Sequence, residues 1–180
     1  MSNQSNIDNE TDKTNWGWEE HFIATLKDQQ VRLITYVPDN VLSRLIRLVH
    51  QDDYFTVINA SREEEAVAII AGGWMAGLRG ITLMQTSGFA TLPNVLASLA
   101  IPFQIPVLML VSERGTLGDH QLGQVIVCRT LRPILDCLNI ENHTLETVED
   151  VSFITSRTIR QAFSTQAPAT LIISPKLYGR

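Results

Sequence analysis

The chain has 180 residues, 44% of them hydrophobic and 18% charged, with a formal net charge of −5. That balance fits one globular domain with a sizeable core, and the acidic charge leaves no electrostatic footprint for nucleic acid. No run reaches the 18 apolar residues of a membrane span, and the polar first fifteen residues hold no apolar signal segment. Cys128 and Cys137, nine apart, make neither a disulfide framework nor a zinc site, so both read as helix residues packed in a reducing cytoplasm.

In chain order, residues 1–15 read as a disordered tail and 16–180 as a single domain. Trp18, Phe22, Ile23 and Leu26 recur at helical spacing, which predicts an amphipathic helix over 16–30. Val31 to Val37 is a predicted strand. Pro38-Asp-Asn turns the chain into a second helix bearing Val41, Leu42, Leu45, Ile46 and Val49. Phe55 to Ile58 reads as a buried strand, and Ser61 with Glu64 as a capping box opening a helix that runs to Gly77. A third strand is expected over Ile81–Met84, a polar turn over 85–89, a helix over Leu92–Ala100 and a continuous apolar strand over Pro106–Val111. A long loop from Ser112 to Gly123 then leads into a helix over 124–138, which Pro133 should kink or break. A weak strand over Asn142–Val148, a helix over 149–166 and a strand over Ala169–Ile173 complete the chain. Strands alternating with helices imply βαβ units, hence a three-layer, doubly wound α/β sheet of about six parallel strands.

The helix after the second strand opens on Glu63-Glu64-Glu65. Acidic residues in a first turn complement the helix dipole, at about 0.3–1 kcal/mol each, and that alone accounts for them. Two features add to this reading. A strand-to-helix turn in such a sheet lies on the carboxyl edge, where ligands bind. The same helix carries small residues Ala68, Gly72 and Ala76 at i, i+4 spacing, and two mid-helix glycines that each cost about 1 kcal/mol relative to alanine; a closely approaching neighbour explains why they are tolerated. Phosphate-cradling GxxxxGK[ST] and GxGxxG loops and the GxSxG elbow are absent. His21, His50, His120 and His143 fall at no metal-ligand spacing, so no metal site is expected; His120 stands out by its place in the 112–123 loop.

The stretch from Asn59 to Gly77 resembles the glutamate-bearing helix of the pyrimidine-binding domain of thiamin diphosphate enzymes. Val37-Pro-Asp-Asn-Val-Leu42, Gln85-Thr-Ser-Gly88 with Asn94, and Val111-Ser-Glu-Arg-Gly115 follow the first, third and fourth strands in matching order. Together they resemble the sulfopyruvate and phosphonopyruvate decarboxylase branch, over about residues 20–175. Counting back from Gly73-Trp74 puts the family's glutamate at Glu64, not Glu63 or Glu65. The resemblance implies that Glu64 hydrogen-bonds the cofactor's aminopyrimidine ring, that Val37, Pro38, Gln85, Thr86, Ser87 and Gly88 line the pyrimidine and that Asn94 orients the loop; turn chemistry accounts for these loop residues equally well. Asp39, Asn40, Arg62, Arg114 and His120 are the candidates for substrate, the two arginines because a planar guanidinium binds sulfonate or phosphonate oxygens well; solvation accounts for both arginines too.

In the family a separate domain binds the diphosphate through Mg²⁺ with a Gly-Asp-Gly run and a later Asn. Gly118-Asp119-His120 is the nearest candidate here, and its third glycine is missing. The resemblance therefore implies half an active site, completed in an α/β hetero-oligomer by a beta subunit that carries the diphosphate-binding domain and its Mg²⁺. The implied activity is a 2-oxo acid decarboxylase, with 3-sulfopyruvate as leading substrate and sulfoacetaldehyde and CO2 as products. Both coenzyme M synthesis and the breakdown of sulfonated carbon compounds use that reaction. Phosphonopyruvate or a plain 2-oxo acid is the alternative substrate, and a non-catalytic flavodoxin-like association module the alternative class.

Overall fold

The structure, a computed structural model, describes residues 17–119 and 121–179. The expected tail over 1–15, Trp16 and His120 lie outside the described residues. In chain order the elements are α1 (Trp18–Asp28), β1 (Val31–Tyr36), α2 (Ser43–His50), β2 (Thr56–Asn59), α3 (Glu63–Met75), β3 (Arg79–Gln85), α4 (Thr86–Phe89), α5 (Pro93–Val95) running into a π-helical stretch over Leu96–Ala100, β4 (Leu108–Ser112), α6 (Leu122–Cys137), β5 (Glu141–Leu145), α7 (Val148–Thr165), β6 (Ala169–Ile173) and α8 (Pro175–Tyr178). The six strands form one parallel sheet in the order β2-β1-β3-β4-β6-β5.

Each face of the sheet carries its own apolar layer, as expected for parallel strands. Phe22, Leu26, Leu45, Val49 and Ile159 of α1, α2 and α7 pack on one face with Ile34 and Leu110. Val67, Ile70, Phe89, Leu96, Leu131 and Leu135 of α3 to α6 pack on the other with Met84, Met109 and Val111. Burying each such side chain is worth about 1.5–3 kcal/mol, so the two layers drive the fold. The expected three-layer, doubly wound architecture is the one found. Strand order reverses between β1 and β3 and again between β4 and β6, which opens crevices beyond the carboxyl ends of those pairs.

Four local expectations are corrected. β2 is an edge strand with Thr56 and Asn59 exposed, because no strand among the described residues pairs with its outer side; the preceding Phe55 is deeply buried. The N-cap of α3 is Arg62, not Ser61, and it makes no side-chain cap; the shift puts Glu65 at the third helical position, from which its Oε2 accepts the Ser61 N–H at 2.7 Å. The helix over 92–100 begins at Pro93 and widens to i+5 bonding, with Ile101 N–H on the Leu96 carbonyl at 3.0 Å. Pro133 does not break α6: Leu131 and Leu135, both fully buried, hold the helix to the sheet on either side of it, and that burial outweighs the lost hydrogen bond. At the far end of α3 the expectation holds. Gly77 sits at φ +84 with its N–H on Trp74 O, and the Leu78 N–H reaches Gly73 O at 2.8 Å, so both terminal carbonyls are satisfied.

Candidate active site

β1, β3 and β4 are neighbours, so the segments that follow them meet at one carboxyl edge. Val37–Asn40 follows β1, Gln85–Gly88 ends β3 and forms α4, and Ser112–Gly115 follows β4. The first turn of α3 arrives beside them from β2. Residues more than 70 positions apart thus share one rim.

Asp39 organises that rim. Its Oδ1 accepts the backbone N–H groups of Val41 at 3.0 Å and Leu42 at 3.2 Å and the Ser112 hydroxyl at 3.0 Å. Its Oδ2 accepts from Arg114 Nη1 at 3.2 Å. Arg114 in turn donates through Nε to Asp119 Oδ2 at 2.8 Å, which also accepts the Gly115 N–H at 3.0 Å. Burial works against the Arg114 charge, but Asp119 and Asp39 more than restore it and its pKa stands above the ordinary value. The guanidinium is held between two carboxylates inside the chain. Further along the rim Glu113 pairs with Arg132, whose Nη2 reaches the Thr144 hydroxyl at 3.1 Å, and Tyr178 donates to the Glu113 carbonyl at 2.6 Å. A cavity of about 550 Å³ opens here, lined by Glu113, Gly115, Leu117, Cys128, Arg129 and Arg132 among others.

The three carboxylates of α3 diverge. Glu65 bonds back to the Ser61 N–H. Glu64 lines an open depression of about 470 Å³ with Ser61, Arg62 and Glu65; its Oε2 pairs with Arg62 Nε at 3.6 Å and has no hydrogen-bond partner. Arg62 itself is 73% exposed. Glu63 turns instead toward the β3–α4 turn and packs on Gly88, where a Cβ would overlap its Oε1, Cδ and Cγ. Among the described residues its carboxylate makes no hydrogen bond or ion pair. Thr86, in the same turn, is fully buried with an unpartnered hydroxyl.

The remaining expected residues fall as follows. Val37 donates its N–H to the Leu83 carbonyl at 3.2 Å, while Pro38 and Asn40 are exposed. Gln85 and Ser87 are half-buried at the end of β3, and Asn94 is exposed on α5. Ala68, Gly72 and Ala76 lie on the outward face of α3, with open space beyond Gly72. Sequence reasoning does not show that Glu63 packs on Gly88, that Ser112 bonds Asp39 or that Asp119 clasps Arg114. For Glu63 a signal was present: Gly72-Gly73 is a doubled glycine, and the count that reaches Glu64 from Gly73 reaches Glu63 from Gly72.

Among the described residues no group of three or more His, Cys, Asp and Glu is placed to hold a metal ion, and no helix is long and apolar enough to cross a membrane. Both cysteines are free, with Cys128 buried but Cys137 exposed, against the expectation that both are packed. Burial, helped by the Glu113 charge, pushes the Cys128 thiol up to about 11 from 9.0. The folded thiol keeps its proton beyond the pH at which an unfolded one loses it. Its contribution to stability is therefore intact below 9.0 and falls as pH rises toward about 11. Iodoacetamide at about pH 8 will label Cys137 and leave Cys128 unmodified, as peptide mass spectrometry will show; equal labelling would contradict this burial.

No family model matches the chain. It is 38% identical over 125 residues to the sulfopyruvate decarboxylase subunit alpha of Methanocaldococcus jannaschii, covering 69% of this chain and 74% of that one. It is 31% identical over 109 residues to the phosphonopyruvate decarboxylase of Streptomyces viridochromogenes, but spans only 28% of that longer protein. In three dimensions it superposes with a TM-score of 0.70 on part of the 2-oxoglutarate:ferredoxin oxidoreductase of Magnetococcus marinus, at 16% identity, covering 91% of this chain and 29% of that one. The likeness to the first of these, over three quarters of its length, shows that the chain belongs to the family of sulfopyruvate decarboxylase alpha subunits.

Proposed function

We propose that this chain is the alpha subunit of a thiamin diphosphate-dependent decarboxylase that converts 3-sulfopyruvate into sulfoacetaldehyde and CO2. The observation that carries the reading is the 38% identity to a sulfopyruvate decarboxylase alpha subunit over most of both chains. The fold, with its acidic helix start on the carboxyl edge, supports it.

The residues present fit the pyrimidine half of the cofactor. Carboxylates at the start of α3 with no hydrogen-bond partner, beside a turn holding a buried unpartnered hydroxyl, form an acceptor and donor set suited to an aminopyrimidine. Thiamin diphosphate, when bound, supplies the electron sink that lets a 2-oxo acid lose CO2. This chain's part is to hold and orient. A carboxylate of the α3 first turn keeps a proton on a ring nitrogen, a task that desolvation by the partner subunit strengthens. The Gln85–Gly88 turn and Val37–Pro38 form the wall, and Asn94 steadies the loop beyond it. Asp39, Arg114 and Ser112 hold the rim in register, while Asn40 and Arg62, and His120 by its place in the sequence, are the candidates for the substrate's acid groups. The chain works as one subunit of an assembly, and its partner, a beta subunit, holds the diphosphate and Mg²⁺. Two free cysteines suit a reducing cytoplasm.

A second substrate is carried by its own observation, the 31% identity to a phosphonopyruvate decarboxylase. CO2 release should be measured on this chain co-expressed with its beta partner, with thiamin diphosphate and Mg²⁺, on 3-sulfopyruvate and phosphonopyruvate in parallel. We expect higher kcat/KM on 3-sulfopyruvate. Higher kcat/KM on phosphonopyruvate would transfer the assignment, and no release from either acid would remove it.

A further inference from the structure

We infer that the carboxylate which meets the cofactor's pyrimidine ring is that of Glu63, the residue packed on Gly88, and that Glu64 serves the rim outside it. The inference rests on the proposed function and names the residue that performs its central contact.

Adjacent residues on an α-helix point about 100° apart. Glu63 and Glu64 therefore cannot both face the turn after β3, and the structure gives that direction to Glu63. Position 88 leaves no room for a side chain: a Cβ there would overlap three atoms of Glu63. Gly88 is buried and Glu63 half-buried, so part of the carboxylate lies against the backbone of the turn. Burying part of a carboxylate without a hydrogen bond or counter-charge is costly: Glu63 has neither among the described residues, whereas the buried Oε2 of Glu64 lacks a hydrogen bond but has Arg62 as counter-charge. A bound heterocycle offering a ring nitrogen removes that cost. Glu64 faces a different environment. It lines the depression with Ser61, Arg62 and Glu65, and its Oε2 sits 3.6 Å from a guanidinium that is itself 73% exposed. Arg62 thus stands beside Glu64 as its ion-pair partner.

The test compares wild type, Glu63→Gln and Glu64→Gln in the co-expressed complex with its beta partner. Thiamin diphosphate affinity is read by tryptophan fluorescence, and proton–deuterium exchange at the thiazolium C2 of bound cofactor by quenched-flow NMR. Size-exclusion chromatography and thermal melting verify assembly and folding. Glu63→Gln is expected to slow the exchange about 100-fold or more with assembly retained, and Glu64→Gln to change it by no more than about threefold. Should Glu63→Gln fail to assemble, Glu63→Asp, which keeps the charge but shortens the reach, is expected to slow the exchange at least tenfold. Slow exchange in Glu64→Gln with normal exchange in Glu63→Gln would overturn the assignment, as would equal effects in both. A wild-type complex that binds no thiamin diphosphate would overturn the proposed function itself, a failure visible before any variant is made.

Discussion

Alanine at Gly88 will lower the turnover of the assembled enzyme about 100-fold while leaving the chain's melting temperature within a few degrees of wild type. The added Cβ would overlap Oε1, Cδ and Cγ of Glu63. Glu63 is long and half-buried, so it can swing to another rotamer at a cost of about 0.5–1.5 kcal/mol. Alanine in the α4 helix returns about 0.5–1 kcal/mol of backbone entropy, so the two stability effects nearly cancel. The catalytic effect does not cancel. A catalytic group displaced by about 1 Å costs on the order of 100-fold in rate, and here the displaced group is the one proposed to hold the ring nitrogen. Steady-state kinetics with a parallel thermal melt separates the two quantities. Full activity in Gly88→Ala would remove Glu63 from the site; a melting temperature lowered by tens of degrees would show that Gly88 is needed for folding.

Asp39→Ala will have the largest effect on stability, a loss of about 3–5 kcal/mol. The Asp39 side chain is 2% exposed and satisfies two backbone N–H groups, the Ser112 hydroxyl and the Arg114 guanidinium at once. Removing it leaves those donors unpaired in the interior and weakens the tie between the turns after β1 and β4. Arg114 then keeps Asp119 as its counter-charge among the described residues. Against a total stability of about 5–15 kcal/mol the loss is a large fraction. Asp39→Asn, which keeps an acceptor for the Val41 and Leu42 amides but cancels the charge, should lose about half as much. Urea denaturation of the isolated chain measures both. A loss under about 1 kcal/mol in Asp39→Ala would mean that the cluster is solvated and that Asp39 is free to meet substrate.

The isolated sequence determined a good deal about this protein. Six strands alternating with helices were legible because strand and helix periods are local properties, set by residues two to four apart. The continuous Val107–Val111 run declared a strand covered on both faces, and β4 is fully buried at the centre of the sheet. The family was legible too, since its motifs sit at strand-to-helix turns whose order in the chain survives large sequence change. Tertiary structure alone decided the rest. Strand order made Asp39 and Ser112 neighbours across 73 positions of chain, a contact with no local signature. Burial of Leu131 and Leu135 overrode the helix-breaking tendency of Pro133. The start of α3 moved from Ser61 to Arg62, and that shift of one residue set the direction of each carboxylate. In an acidic triplet beside a doubled glycine, counting cannot choose between neighbours. Only the rotation of the helix against the sheet, set by the packing of Val67 and Ile70 beneath it, aims Glu63 at Gly88 and Glu64 at Arg62.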